Sequence, residues 1–440
     1  MVVLNIKILY YIIINYIMNI LIYSYSYLPR LNGVTFRMKG IIDILKKNNK
    51  IYLITPDPET KDYEGIEVIQ VPGMNIPDIF GGNKHKNNCV MNIHYYSKIY
   101  EVMQLLCIKK KIDIIHMTGP DICVGLFVTI GKLLNIPVIS IYHTDIHQYL
   151  KNYYNNSPTM TNFVLNSTNF LLKLSLFNNL DSIICTSDNS KKKLYDYGLI
   201  NNNNKVWIIP YYIDTEIFKI GKGKFKYKWK KDSIRLLYIG RVTKEKSIER
   251  ILNCMTSNTS LVIIGEGSDL DNLKEISNKK NLNVNFMGKI EQKFLYEWYS
   301  SAHIFIMPSS TETLGFVTLE AMACKVPVIG YADGGTLSLI IDNTDGLLFK
   351  TTKELNDNIF KLINNKELRN NIINNAYEKV KKHSLTSSVN ELYKYYEYEI
   401  EKKKIDKHIT DSYIKTFYFY RFLLITYILQ IGFYFISFYK

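Results

Sequence analysis

The stretch HIFIMPSSTETLGFVTLEAMACKVPVIG, residues 303–330, decides how this chain folds. Residues 303–308 are an apolar run of strand length, Pro308-Ser309-Ser310-Thr311-Glu312-Thr313 is a polar turn, residues 314–324 have helical length, and 326–330 are apolar again. Strand, helix and strand in this order imply parallel strands with helices packed on the sheet. The same stretch carries chemistry. A helix starting near Leu314 and Gly315 aims backbone N–H groups over the turn, which favours an anion such as a diphosphate. Glu312 lies in the turn and Glu320 in the first helical turns, so two carboxylates bracket the helix start, one suited to the hydroxyls of a sugar and one to those of a ribose.

Working outward, the alternation recurs twice. Strands are expected at 20–25, 51–55, 68–71, 112–117, 138–142, 182–186 and 206–209, with helices between several of them. A Lys- and Gly-rich stretch, 221–233, reads as a linker. A second set follows, with strands at 235–239, 260–265, 284–287, 303–308, 326–330 and 346–349 and helices at 246–255, 270–279, 291–301, 314–324 and 353–364. The expected fold is therefore α/β: two Rossmann-like, doubly wound domains, 18–220 and 234–365, facing a cleft that lies outside the carboxyl ends of the strands. Charged amphipathic helices over 366–411 are placed to cross back and brace the first domain.

Both ends are apolar. Residues 1–17 form an extension with a single lysine and lack a convincing small-residue cleavage site. Within 412–440, the run 422–439 is uncharged and at the short edge of what spans a bilayer of about 30 Å, so a membrane-associated or transmembrane helix is expected there. The 440 residues carry a formal net charge of +15, which suits an anionic membrane surface or an anionic small substrate. The lysines are spread along the chain with no basic, aromatic run of the kind nucleic-acid modules use, so nucleic acid is not an expected partner. Six scattered cysteines, Cys89, Cys107, Cys123, Cys185, Cys254 and Cys324, have no metal-ligand spacing and read as buried thiols on a reducing side.

Four further constellations fall at expected strand ends. Gly33 precedes a helix expected over 36–47 and permits close approach to a phosphate or sugar. His143 ends a strand in Tyr142-His143-Thr144-Asp145. Arg241 in the turn after strand 235–239 and Lys246 at the start of the next helix can clamp a diphosphate. In Gly265-Glu266-Gly267-Ser268-Asp269-Leu270-Asp271 the Asp-x-Asp reads as a helix start capped by Ser268 or Asp269, with no metal site expected.

These residues, in this order, resemble the retaining glycosyltransferases of family 4, which have the GT-B fold. The resemblance rests on Glu312 and Glu320 with their surroundings, Gly240-Arg241, Glu245-Lys246-Ser247, Gly265-Glu266-Gly267 and Gly33. Within the family, Tyr142-His143-Thr144, Glu245-Lys246-Ser247 and Ser310-Thr311-Glu312-Thr313-Leu314-Gly315 look most like sulfoquinovosyl-diacylglycerol synthase and related lipid glycosyltransferases.

The resemblance implies that Arg241 and Lys246 bind the diphosphate of a nucleoside diphosphate sugar, UDP being the expected nucleotide, with Leu314 and Gly315 at the same helix start. It implies that Glu312 contacts the transferred sugar, Glu320 the ribose, His143 the reacting centre, and Gly33 the donor across the cleft. Transfer would retain configuration by front-face displacement with no protein nucleophile, no metal and no cofactor besides the donor. The first domain would take a lipid acceptor at a membrane surface, with the catalytic lobes on a cytosolic or plastid-like face. One departure is Asp145, where the synthases have histidine: a carboxylate beside the sugar site opposes a sulfonated sugar unless it points away, and leaves a neutral hexose open. The alternatives are the N-acetylglucosaminyltransferase of glycosylphosphatidylinositol anchors, another hexosyltransferase, or a non-catalytic scaffold of the same fold.

Overall fold

The computed structural model describes residues 17–29, 33–76, 88–92, 95–119, 125–142, 145, 147, 150, 158–209, 212–310, 315–382 and 385–405. The first lobe runs β1 (Asn19–Tyr23), α1 (Gly33–Leu45), β2 (Lys50–Thr55), β3 (Ile66–Gln70), β4 (Gly73–Ile76), β5 (Asn88–Met91) and α2 (Tyr96–Lys109). It continues through β6 (Ile114–Thr118), α3 (Gly125–Leu134), β7 (Val138–Ile141), α4 (Pro158–Leu172), β8 (Ser182–Cys185), α5 (Asp188–Asp196) and β9 (Val206–Ile208).

The second lobe holds β10 (Ile234–Ile239), α6 (Glu249–Cys254), β11 (Thr259–Ile264), α7 (Leu270–Lys279), β12 (Val284–Phe286), α8 (Gln292–Ser301) and β13 (Ile304–Met307). After these come α9 (Phe316–Ala323), β14 (Val328–Tyr331), α10 (Gly334–Leu339), β15 (Leu347–Phe349) and α11 (Thr352–Asn364). Two helices close the described chain, α12 (Lys366–Lys382) and α13 (Leu385–Ile405).

Each lobe is built on one parallel sheet. The strand orders are β3-β2-β1-β6-β7-β8-β9 and β12-β11-β10-β13-β14-β15. Alternation along the central strands feeds two cores per lobe. In β1, Leu21 and Tyr23 pack with Met103 and Phe127 on one face, while Ile20 and Ile22 pack with Met38, Leu392 and Tyr396 on the other. In β10, Leu237 and Ile239 join Phe305 and Leu319, while Leu236 and Tyr238 join Ile251 and Leu355. A strand buried on both faces has no polar side to show, which is why these segments read as unbroken apolar runs. Each buried aliphatic side chain contributes about 1.5–3 kcal/mol.

Three features differ from the sequence reading. The antiparallel pair β4–β5 was not expected, its strands being too short to stand out from loop. Helix α1 begins at Gly33 itself rather than near Phe36. The stretch read as a linker is pinned to α8 at its start. Ser300 Oγ accepts from Gly221 N at 2.7 Å, Glu297 Oε2 accepts from Gly223 N at 2.9 Å and Lys224 N at 3.3 Å, and Ser301 Oγ accepts from Phe225 N at 3.1 Å. Composition hides this anchoring because the donors are all backbone.

Helix α13 packs on the first lobe, not the second. Val389, Leu392, Tyr396 and Ile400, spaced at one helical face, enter the core around Ile20 and Ile114. Tyr395 stacks on Trp207 at 4.1 Å, and Lys403 pairs with Asp181 at 2.9 Å. His116 on β6 hydrogen-bonds the Tyr396 hydroxyl, and burial, with Arg37 nearby, pushes its pKa down to about 3. The chain thus returns from the second lobe to complete the first. The lobes also meet where α5 packs on α10, with Asn189 Nδ2 donating to Gly334 O at 3.4 Å.

Among the described residues no helix is long and apolar enough to cross a membrane. The extension up to residue 16 and the apolar tail 412–440 lie outside them.

Candidate functional site

The carboxyl ends of β10, β11 and β13 are adjacent in the second sheet, so the turns after them form one surface. The β10 and β11 turns are knitted through backbone. Gly240 N donates to Ile264 O at 3.0 Å, Val242 N to Glu266 O at 2.9 Å, and Asp269 N to Val242 O at 3.0 Å. Gly265 has φ +137°, and a Cβ on it would stand 1.9 Å from Gly240 O; one on Gly267 would stand 2.1 Å from Val242 O. The two glycines are there so that one turn can lie against the other.

This contact fixes the segment carrying the basic residues. Arg241 is solvent-facing and pairs loosely with Glu245, Nη2 to Oε1 at 3.6 Å, while Glu245 also accepts from Thr243 Oγ1 at 2.6 Å. Lys246 is only 8% exposed. It does not start a helix, as the sequence suggested. It ends a 3-10 turn, Lys244–Lys246, because Ser247 adopts a left-handed conformation at φ 52° and interrupts the helical path until Glu249. The β10 turn is joined to the β13 turn by Ser309 Oγ, which donates to Glu245 O at 3.4 Å, and by Arg250 Nη1, which donates to Pro308 O at 2.7 Å while the guanidinium lies 3.8 Å from the Tyr331 ring centroid. Arg250 was not singled out in the sequence; only its contact reveals it.

Past the β13 turn, Gly315 takes φ +65° and caps α9, its carbonyl accepting from Thr318 N at 2.8 Å. Helix α9 starts at Phe316, two residues after the expected start, because the left-handed residue must precede it. Glu320 is buried on this helix, and its Oε2 accepts from Tyr299 Oη on α8 at 2.7 Å. Burial pushes the Glu320 pKa up to about 7, against which the Tyr299 bond pulls downward. Tyr299 gave no signal in the sequence, since an aromatic residue on an amphipathic helix reads as core.

In the first lobe, Gly33 opens α1 at the carboxyl end of β1. Beside it Ser26 Oγ and Thr35 Oγ1 lie 3.3 Å apart, and Thr118 Oγ1 donates to Ser24 Oγ at 3.1 Å. After β7, Asp145 is buried and accepts from Lys193 Nζ at 3.0 Å and Tyr197 Oη at 3.2 Å. His147 stacks on Tyr197 at 3.9 Å and hydrogen-bonds Asn169, whose amide also donates to Tyr197 O at 3.2 Å. Asp145 is therefore answered internally by a lysine and a tyrosine, and the objection it raised to an anionic sugar loses its force.

The Asp-x-Asp stretch also differs from its reading. Asp269 makes no side-chain cap to α7; its Oδ1 accepts from Asn272 Nδ2 at 3.0 Å instead, and its backbone N donates to Val242 O. Asp271 is fully exposed. Cys107, Cys185, Cys254 and Cys324 are buried free thiols, the first three pushed up to about 12 by desolvation. Of the candidate residues, Gly33, Arg241, Lys246, Gly315 and Glu320 are described, whereas His143, Glu312 and Leu314 lie outside the described residues. The β10 turn bearing Arg241 and Lys246 is bonded to the β13 turn, and Gly315 and the buried Glu320 follow it, at the start of α9 and within it.

The family model described as Glycosyltransferase Family 4 matches residues 32–217, and that described as Glycosyl transferases group 1 matches residues 220–379. Alpha-monoglucosyldiacylglycerol synthase of Acholeplasma laidlawii is 26% identical over 380 residues, 82% of this chain and 92% of that protein. A sulfoquinovosyl transferase of Arabidopsis thaliana is 26% identical over 249 residues, 54% of this chain and 46% of that protein. The solved structure of Anabaena HepE in complex with UDP-glucose superposes with a TM-score of 0.64 at 15% identity, covering 86% of this chain and 98% of that one. With a family match on each lobe and two parallel-sheet Rossmann-like lobes in the structure, the chain belongs to the family 4 glycosyltransferases and has the GT-B fold.

Proposed function

We propose that the enzyme moves a sugar from a nucleoside diphosphate sugar, UDP-linked, to a lipid acceptor at a membrane surface, with retention of configuration and without a metal ion. The observation that carries this reading is the junction of the β10 and β13 turns: the β10 turn bearing Arg241 and the buried Lys246 is bonded to the β13 turn, and that turn leads through Gly315 into α9, which carries Glu320. Two cations and a helix N-terminus suit a diphosphate; a buried carboxylate with one oxygen already held suits a ribose.

In this reading the bond between the sugar's anomeric carbon and the diphosphate oxygen breaks as the acceptor hydroxyl oxygen bonds to the same face of that carbon. The hydroxyl proton passes to the departing diphosphate. Arg241 and Lys246 offset the charge that develops on the leaving group, which is where such electrostatic stabilisation acts most strongly. Glu312 and His143 are assigned to the transferred sugar, and Gly33, Leu314 and Gly315 to backbone approach around the donor. Glu312 and Glu320 thus form a hydroxyl-binding bracket, not the acid/base pair a glycoside hydrolase would use.

The lipid acceptor is supported by the Acholeplasma relative, whose name states a diacylglycerol product, and by the basic charge and apolar ends of this chain. UDP is supported by the ligand of the Anabaena structure. Diacylglycerol is the proposed acceptor and sulfoquinovose or a neutral hexose the proposed sugar; the pairing of Asp145 with Lys193 leaves both open. The test is a screen of nucleoside diphosphate sugars with the purified full chain and diacylglycerol vesicles, with lipid products weighed by mass spectrometry. A single favoured donor giving glycosylated diacylglycerol is expected. Glycosylation of a phosphatidylinositol in its place would move the enzyme to the anchor-forming alternative, and no transfer from any donor would leave a scaffold.

A further inference from the structure

We propose that Tyr299 is a positioning residue of the donor site, its buried hydroxyl holding one oxygen of Glu320 so that the other faces the ribose hydroxyls of the nucleotide. This rests on the assignment of Glu320 to the ribose. Tyr299 is wholly buried, edge-on to Phe305 at 5.5 Å and to Phe218 at 6.2 Å, and its hydroxyl reaches Glu320 Oε2 at 2.7 Å. Its helix cannot easily roll. On neighbouring positions of α8, Glu297, Ser300 and Ser301 take the backbone N–H groups of Gly221, Gly223, Lys224 and Phe225, and Trp298 stacks on Phe225 at 4.4 Å. The hydroxyl is thereby fixed in space from the linker side, and the carboxylate is fixed by the hydroxyl.

Holding the carboxylate also sets its charge. Among the described residues the titratable groups facing Glu320 are Tyr299 from α8 and Cys324 one turn further along α9, and burial together with Glu320 raises both of their pKa values, so both stay neutral. Glu320 alone in this cluster ionises near neutral pH, at about 7. With Oε2 taken by the Tyr299 hydroxyl, a proton on the carboxyl falls on the other oxygen, so only the ionised form presents an acceptor-only oxygen there to a ribose hydroxyl. Removing the Tyr299 bond takes away the one influence that lowers this pKa, so the ionised form retreats to higher pH.

The experiment is calorimetric titration of UDP into the full chain from pH 6 to pH 9, for wild type, Tyr299→Phe and Glu320→Gln. Wild type is expected to lose UDP affinity as pH falls through 7. Tyr299→Phe is expected to lose it about one pH unit higher, giving roughly threefold weaker binding near pH 7.5, nearly tenfold at pH 6, and recovery towards pH 9. Glu320→Gln is expected to bind weakly at every pH. Weakening by Tyr299→Phe that is uniform across pH, or absent, while Glu320→Gln is impaired, overturns the positioning role alone. Wild-type affinity in Glu320→Gln overturns the ribose assignment and the proposal with it. Tyr299→Met, which fills similar volume without a hydroxyl, repeats the series if Tyr299→Phe folds poorly.

Discussion

The carboxyl edges of the two sheets are built in different ways. In the second lobe the β10 and β11 turns are held by backbone against backbone, with Gly265 and Gly267 pressed on Gly240 and Val242. In the first lobe the corresponding edge is held by side chains: Asp145 with Lys193 and Tyr197, His147 with Asn169, and the hydroxyls of Ser24, Ser26, Thr35 and Thr118. A backbone-built edge has few ways to change and suits a ligand part that does not vary, such as a diphosphate. A side-chain-built edge can be re-cut residue by residue, which suits a surface that meets varied acceptors.

The sharpest way to break this contrast is at Gly265. Gly265→Ala puts a methyl group into Gly240 O, so a loss of at least about 3 kcal/mol is expected, read as the urea midpoint. A shift under 1 kcal/mol would mean the turns can part. Next is Lys246→Met, which keeps the stem and removes the charge. UDP affinity should fall by about 10- to 100-fold while uridine affinity hardly moves, as titration calorimetry would show. Equal losses for both ligands would place Lys246 away from the diphosphate.

Glu320→Gln separates function from stability. The folded carboxyl has a pKa of about 7 against an ordinary 4.5, so between those values the folded chain holds a proton that the unfolded chain has released. Stability therefore declines as pH rises from 4.5 to 7 and stays lower above it, by about 3 kcal/mol. Glutamine carries no such cost, so this variant should melt higher than wild type at pH 8 and nearly alike at pH 4. The opposite order would show that the ionised carboxylate is stabilised by its surroundings.

On the first-lobe side the expected effects are smaller. Lys193→Met takes the paired cation from Asp145, and the lysine is partly exposed, so about 1–2 kcal/mol is expected in thermal denaturation, with UDP affinity unchanged. Asn189→Ala removes one long bond between the lobes and should cost no more than about 0.5 kcal/mol.

The same contrast explains what could be read from the chain. Strand positions such as 20–25 and 303–308 were legible because parallel strands buried on both faces are apolar nearly throughout. The Gly240, Gly265 and Gly267 turns were legible because close backbone approach leaves a glycine in the sequence. Tyr299 and Lys193 were not, since a tyrosine on an amphipathic helix and a lysine on a surface helix look ordinary until their partners are seen. Asp145 misled in the same way: its carboxylate was visible but the lysine that answers it is 48 residues away. The 3-10 turn at Lys246 was hidden because a left-handed serine has no compositional mark.

The most direct test of the central claim is the rate of glycolipid formation by wild type and by Lys246→Met, with diacylglycerol vesicles and the favoured nucleoside diphosphate sugar. Wild type should form glycosylated diacylglycerol with the donor's anomeric configuration, and Lys246→Met should be slower by at least about 100-fold with its melting temperature preserved. Wild-type rates in the variant, or no glycolipid from the wild type with any donor, would contradict the account.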